Sequence, residues 1–217
     1  MKLVAYEPFG APKSTTFGNN LSQTRTYDLD GRLARFSLAA QTMAISYDAA
    51  SRITGIADVQ NSASGSTYGY DVLDRLNSVI TPSGAQKYYY DKVGNRTQKV
   101  NNGSATDYTY SPTSNRLTQV AGQAIAMDAN GSTTAKPGAT FSYDVRGRMV
   151  SATTNIGLVT YTINSMGQRV RKVTPTETVV FHYDQGGKLI AESTTAAGVT
   201  KVQEYVYLGD LPVAVLK

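Results

Sequence analysis

The side chains best equipped for chemistry are acids and bases that recur in one local pattern. Asp follows Tyr at Tyr27-Asp28, Tyr47-Asp48, Tyr70-Asp71, Tyr90-Asp91, Tyr143-Asp144 and Tyr183-Asp184. Gly31, Gly94, Gly147 and Gly187 stand four residues after their Tyr, and a base follows in Arg32, Arg52, Arg75, Arg96 and Arg148. Paired carboxylates can do acid–base work, Asp-rich loops can hold calcium, and Arg/Tyr rows can bind phosphates or sugars. Spacing decides among these. Each Asp occupies the same place in its own unit, so successive carboxylates are spread along the chain's structure and do not converge. Asp28-Leu-Asp-Gly31 and Asp128-Ala-Asn-Gly131 begin like a calcium loop but lack its later ligands and its terminal Glu. The expected role is therefore local. Asp caps a turn, Gly supplies the positive φ that closes it, and Arg stacks on tyrosines and bonds turn carbonyls of the next hairpin.

Other residue types narrow the function further. The chain has no Cys, which removes thiolate metal sites, disulfides and a Cys nucleophile. His182 is the single histidine; it lies between Phe181 and Tyr183 and so points to the face opposite that aromatic pair. It reads as a surface strand residue. No catalytic, cofactor-binding or metal residues are expected, and the chain does not read as an enzyme. The net charge of +5 is carried by dispersed bases, which suits solvated strand and turn positions and no nucleic-acid partner. No apolar stretch reaches the ~20 residues of a membrane span, and Met1–Glu7 lacks the apolar region of a signal peptide.

The elements that position these residues follow from the period. Degenerate copies at Tyr110-Ser111, Met127-Asp128 and Ile163-Asn164 complete anchors at 27, 47, 70, 90, 110, 127, 143, 163 and 183. Most anchors have a second β-former two residues upstream, such as Tyr68, Tyr88, Phe141 or Phe181, which puts both rings on one strand face. After the base a second apolar strand begins, as at Leu33, Ile53, Leu76 and Leu189. One unit thus reads strand, Asp/Gly turn, strand, polar link, and leaves no room for a helix. Tyr is present 15 times and Trp not at all, a composition suited to pleated, half-buried surfaces. Nine units give roughly 18 strands, about 85 Å of sheet at ~4.8 Å each. Open sheets rarely exceed ~10 strands without curling. The expected fold is all-β: one segment, residues 1–217, of tandem hairpins in a wide, strongly curved, open or spiral antiparallel sheet.

Tyr-Asp-x-x-Gly-Arg-Leu near a 20-residue period resembles the YD repeats of RHS proteins. The fullest copies are Tyr27-Asp-Leu-Asp-Gly-Arg-Leu33 and Tyr143-Asp-Val-Arg-Gly-Arg-Met149, and Tyr205–Leu216 resembles the approach to the RHS core. The resemblance implies a hollow β-shell. In bacterial polymorphic toxins such a shell encloses a toxic domain; in teneurins similar shells belong to adhesion receptors. Set against the family pattern, the sequence is expected to stop before the self-cleaving core motif rich in Asp-Pro-x-Gly, with no toxin domain after Leu216, so neither activity is expected of it. The resemblance implies a non-enzymatic scaffold of secreted or surface location, partnered by adjoining shell and a toxic polypeptide in cis or in trans. Alternatives are an adhesion or carbohydrate-binding module with a glycan partner, and an orphan repeat fragment opening in mid-repeat at Tyr6-Glu-Pro-Phe9.

Overall fold

The computed structural model describes residues 3–8, 10–38 and 40–217. Met1 and Lys2 of the leading stretch, Phe9 of the opening Tyr6–Phe9 run, and Ala39 lie outside the described residues. Strands dominate. They are β1 (Leu3–Tyr6), β2 (Pro12–Thr16), β3 (Ser22–Tyr27), β4 (Leu33–Leu38), β5 (Gln41–Tyr47) and β6 (Ile53–Asp58). Next come β7 (Ser66–Tyr70), β8 (Leu76–Thr81), β9 (Gly84–Tyr90), β10 (Arg96–Asn101), β11 (Ser104–Tyr110), β12 (Leu117–Val120) and the short β13 (Gln123–Ala124). The rest are β14 (Ala126–Met127), β15 (Thr133–Lys136), β16 (Ala139–Tyr143), β17 (Met149–Thr154) and β18 (Gly157–Ile163). β19 (Arg169–Val173), β20 (Glu177–Tyr183), β21 (Leu189–Ala196), β22 (Val199–Leu208) and β23 (Leu211–Leu216) complete the series. The one helical element among the described residues is a single 3-10 turn, Ser62–Ser64.

Strand order follows chain order without a crossover, β1 to β13 in one sheet and β14 to β23 in a second, neither closed on itself. The fold is therefore all-β, two wide open antiparallel sheets of tandem hairpins. The chain divides into two compact units, Met1–Tyr108 and Thr109–Lys217.

The strand pairs extend the repeat beyond its nine sequence anchors. The β1–β2 hairpin turns at Glu7, whose N–H donates to the Ala11 carbonyl (3.1 Å) while Gly10 N–H donates to the Glu7 carbonyl (3.0 Å). Asp28 makes the same pair of bonds with Arg32 and Gly31. Glu here replaces Asp, so Tyr6-Glu7 makes the same turn as the nine anchors. At the other end β22 and β23 form a further hairpin after Tyr207.

Register divides the strands into two faces. In the second unit Phe141, Ala152 and Val159 lie side by side across β16, β17 and β18, as do Tyr161, Lys172 and Val179 across β18, β19 and β20. Ala152, Val159 and Val179 are the buried apolar residues among those described, so what core exists sits on the aromatic face. The opposite face carries hydroxyls: Ser142, Ser151 and Thr160 form one cross-strand row, and Thr178, Thr195 and Thr200 another. No large described side chain is fully buried. With so thin an apolar layer, the hairpins depend on backbone ladders and on polar ties between neighbours.

Gly157 begins β18 at φ +104°, and a Cβ there would lie 2.8 Å from Cγ of Pro175, a rigid ring that cannot move aside. Gly157→Val combines a β-branched residue in a left-handed conformation with overpacking. The expected loss is about 3 kcal/mol, read as a lower urea midpoint at unchanged m-value.

Candidate functional site

The recurring site is the Tyr-Asp turn itself. Asp28 N–H donates to the Arg32 carbonyl (2.9 Å) and Gly31 N–H to the Asp28 carbonyl (3.0 Å). This is a three-residue hairpin loop, a type I turn closed by a left-handed residue. Gly31 and Gly147 close it at φ +75° and +74°. Ser51 and Asp74 fill the same place at +63° and +62°, so glycine is favoured there without being required.

The Asp carboxylate then organises the loop. Oδ1 of Asp28 accepts from the N–H of Asp30 (3.0 Å) and of Arg32 (2.9 Å), and Oδ2 accepts from Arg32 Nε (2.7 Å). Asp48 with Arg52, Asp71 with Arg75, and Asp144 with Arg148 repeat this clip, each with a 2.7 Å bond from Nε. At Asp28 and Asp71 burial favours the neutral acid, but the hydrogen bonds and charge of the paired Arg outweigh it and hold the carboxyl below its ordinary range. Asp48 is lowered chiefly by the Arg52 backbone N–H, and Asp144 chiefly by the Arg148 side chain. The same pairing raises the pKa of Arg32 and Arg52.

Not every motif residue stands where its sequence place suggests. Asp91 is clipped by Asn95, whose Nδ2 donates to Oδ2 at 2.9 Å. Arg96 comes one residue later and sits over the Tyr108 ring at 4.5 Å and the Tyr88 ring at 5.8 Å. Arg169 likewise lies between Tyr161 and Phe181. Asn164 and Gln168 make a neutral clip of 2.7 Å. Asp184 keeps the backbone bond from Lys188 N–H (2.8 Å), with Gly187 closing the turn, while Lys188 Nζ reaches forward to the Gly209 carbonyl (2.6 Å) and Asp210 (2.9 Å).

Two sets of ties recur between neighbouring hairpins. The Arg in the clip also reaches the following turn, and its target depends on the residue that closes that turn. Where Gly94 or Gly167 closes it, Arg75 Nη1 bonds the Asp91 carbonyl (3.0 Å) and Arg148 Nη1 the Asn164 carbonyl (2.9 Å). Where Ser51 or Asp74 does, Arg32 bonds Ser51 Oγ (2.8 Å) and Arg52 pairs with the Asp74 carboxylate. In passing, Arg32, Arg52 and Arg75 lie 4.7, 4.9 and 4.6 Å from the centres of the Tyr47, Tyr70 and Tyr90 rings. The second tie is the Tyr hydroxyl. Tyr47 donates to the Leu33 carbonyl (2.9 Å), Tyr70 to Ile53 (2.8 Å) and Tyr90 to Leu76 (2.7 Å), each at the start of the preceding hairpin's second strand. Tyr27, Tyr143, Tyr183 and Tyr207 do the same with Pro12, Thr133, Arg169 and Leu189. By composition alone the tyrosines suit pleated, half-buried surfaces. The geometry gives a more specific cause, since Phe has no hydroxyl to donate.

Chemically, this arrangement fastens. The carboxylates are paired within their own turns, and the rings of Tyr47, Tyr70 and Tyr90 face guanidiniums. A sugar stacked on those rings would compete with a cation. His182 Nε2 lies 2.9 Å from Ser193 Oγ on solvent-exposed strands. Among the described residues no group of three or more His, Asp or Glu is placed to hold a metal. No described helix is long and apolar enough to cross a membrane, a statement that leaves β-barrels aside.

Solved structures share this architecture. The chain aligns with the Photorhabdus luminescens Tc holotoxin pore at a TM-score of 0.78 and 19% identity, covering 95% of this chain and 13% of the other. It aligns with the TcdB2-TccC3 crystal structure at 0.76 and 18% identity, again covering 95% and 13%. The TcdB2-TccC3 structure without its hypervariable C-terminal region gives 0.71, 19%, 94% and 13%. At these identities the likeness is one of fold, and the chain spans about an eighth of the length of the chains it matches. No curated protein sequence matches it. The teneurin YD-shell family profile matches residues 39–163, more than half of the 217 residues. Hairpin order, repeat chemistry and profile agree: the chain belongs to the teneurin YD-shell family, within the RHS/YD-repeat group of β-shell scaffolds.

Proposed function

We propose that this chain is a length of shell wall that helps to enclose a toxic polypeptide for secretion or contact-dependent delivery. The observation that carries the reading is the direction of the ties. Tyr hydroxyls reach back to the preceding hairpin and Arg guanidiniums reach forward to the next, which gives a wall cohesion along its length without a second layer. The likeness to Tc toxin components supports a toxin as the enclosed class, and the wall is non-enzymatic in this reading. Its working location is outside the cell or on its surface, in company with adjoining shell. The aromatic face is occupied by the ladder, which leaves the Ser/Thr face to line the interior.

The test uses the chain in its native polypeptide, purified with the products encoded beside it and subjected to limited proteolysis. The expected result is a co-purifying polypeptide that resists protease for as long as the shell stays intact. Free digestion of that polypeptide beside an intact shell would remove the reading.

A further inference from the structure

We propose that the stretch from Ser111 to Thr133 is a built-in seam, the place where the wall of the second unit opens first. The Asp–Arg clip is missing there in two successive turns, although Arg116 Nη2 still reaches forward to the Ala129 carbonyl (2.9 Å). Ser111 stands where Asp belongs, in a loop one residue longer that closes from Ser111 N–H to the Arg116 carbonyl (2.8 Å). In the next turn Asp128 is followed at the clip position by Ser132, which has no cation; Oδ1 accepts only the Ser132 backbone N–H (2.9 Å). The anchor of that turn is Met127, which has no hydroxyl to donate to the preceding hairpin.

The backbone is thinnest at the same place. β13 and β14 have two residues each, and the hydrogen-bonded order stops between them at Ile125. Ile125 N–H adds one more rung to the β12–β13 ladder, donating to the Thr118 carbonyl (2.8 Å), and Ala121 takes φ +50° much as Ala197 takes +48° between β21 and β22. Gln123 and Ala124 are exposed.

A comparison within the unit separates this from ordinary degeneracy. Ile163 also lacks a hydroxyl, yet its turn keeps the Asn164–Gln168 clip (2.7 Å) and the Arg148 bond to the Asn164 carbonyl (2.9 Å). Its strands, β18 and β19, have seven and five residues. Only the 111–133 stretch combines two weakened clips, a missing hydroxyl and two-residue strands among the described repeats. Segments with few buried contacts and few ladder bonds open locally well below the global unfolding free energy. If the enclosing role above holds, this seam is where a passenger leaves. The seam itself needs no passenger to be tested.

Amide hydrogen exchange of the intact chain, read by mass spectrometry, tests it. Peptides covering Thr118–Thr133 should exchange at least about tenfold faster than those of β18–β21. The double substitution Met127→Tyr with Ser132→Arg restores the hydroxyl and the cation. It should slow exchange in that stretch by about tenfold and leave β18–β21 unchanged. Uniform exchange along the unit, or a repaired chain as labile there as the parent, would overturn the seam.

Discussion

Tyr90→Ala is expected to lower stability by about 2–3 kcal/mol and Tyr90→Phe by about 1 kcal/mol, measured by urea unfolding. The two substitutions separate the parts of the ladder. Phenylalanine keeps the ring beneath Arg75, 4.6 Å from its centre, and removes only the hydroxyl that donates to the Leu76 carbonyl at 2.7 Å. That carbonyl then loses its partner in a half-buried setting, which has the scale of one net hydrogen bond. Alanine removes the ring as well, leaves the guanidinium without its aromatic face, and opens a gap in the wall's thin apolar layer. Equal losses for the two variants would assign the whole effect to the hydroxyl. No loss for Tyr90→Phe would dismiss the hydroxyl tie.

Acid is expected to unfold the chain through its turns. Asp28, Asp48, Asp71, Asp91 and Asp144 all have carboxyls held below their ordinary value of 3.8. A carboxyl with a lower pKa when folded binds fewer protons folded than unfolded in that range. Its stabilising contribution is therefore present above the unfolded value and is lost as pH falls through the folded one. Because the clip is repeated, several carboxylates lose their contributions together as pH falls below about 4. Melting temperature followed from pH 6 downward should fall steeply there. Changing Asp28, Asp48, Asp71 and Asp144 to asparagine should flatten that fall. A melting temperature indifferent to pH across this range would contradict the clip as a source of stability.

Much of this was legible in the sequence, for a definite reason. Period-2 alternation and a 20-residue recurrence leave few foldings open, so Tyr68 with Tyr70, or Phe181 with Tyr183, announce strands, and Asp-x-x-Gly announces the turn. The Arg-to-Tyr stacking and the forward reach of Arg75 and Arg148 to the next turn follow from the same regularity. Contacts that cross units at unequal spacing were not legible. Tyr90 and Leu76 are 14 residues apart while Tyr70 and Ile53 are 17 apart, so no fixed interval reveals the hydroxyl tie. Arg96 resembled the other arginines by type, yet its single-residue offset from Asn95 turns it from the clip to the aromatic row. The hairpins at Tyr6 and Tyr207 fall outside the nine anchors because Glu7 and Leu208 stand where the dipeptide has Asp; Glu7 keeps the Tyr-Asp turn, whereas Leu208 pairs with Leu211 across a two-residue loop.

The central claim, that these repeats form an enclosing wall, meets its most direct test in electron cryomicroscopy. The sample is the chain within its native polypeptide, purified together with the products encoded beside it. The account predicts continuous antiparallel sheet around an internal volume that holds density for a second polypeptide, with the Ser/Thr rows turned toward it. An assembly without internal volume, or a second polypeptide bound only to the outside, would contradict it.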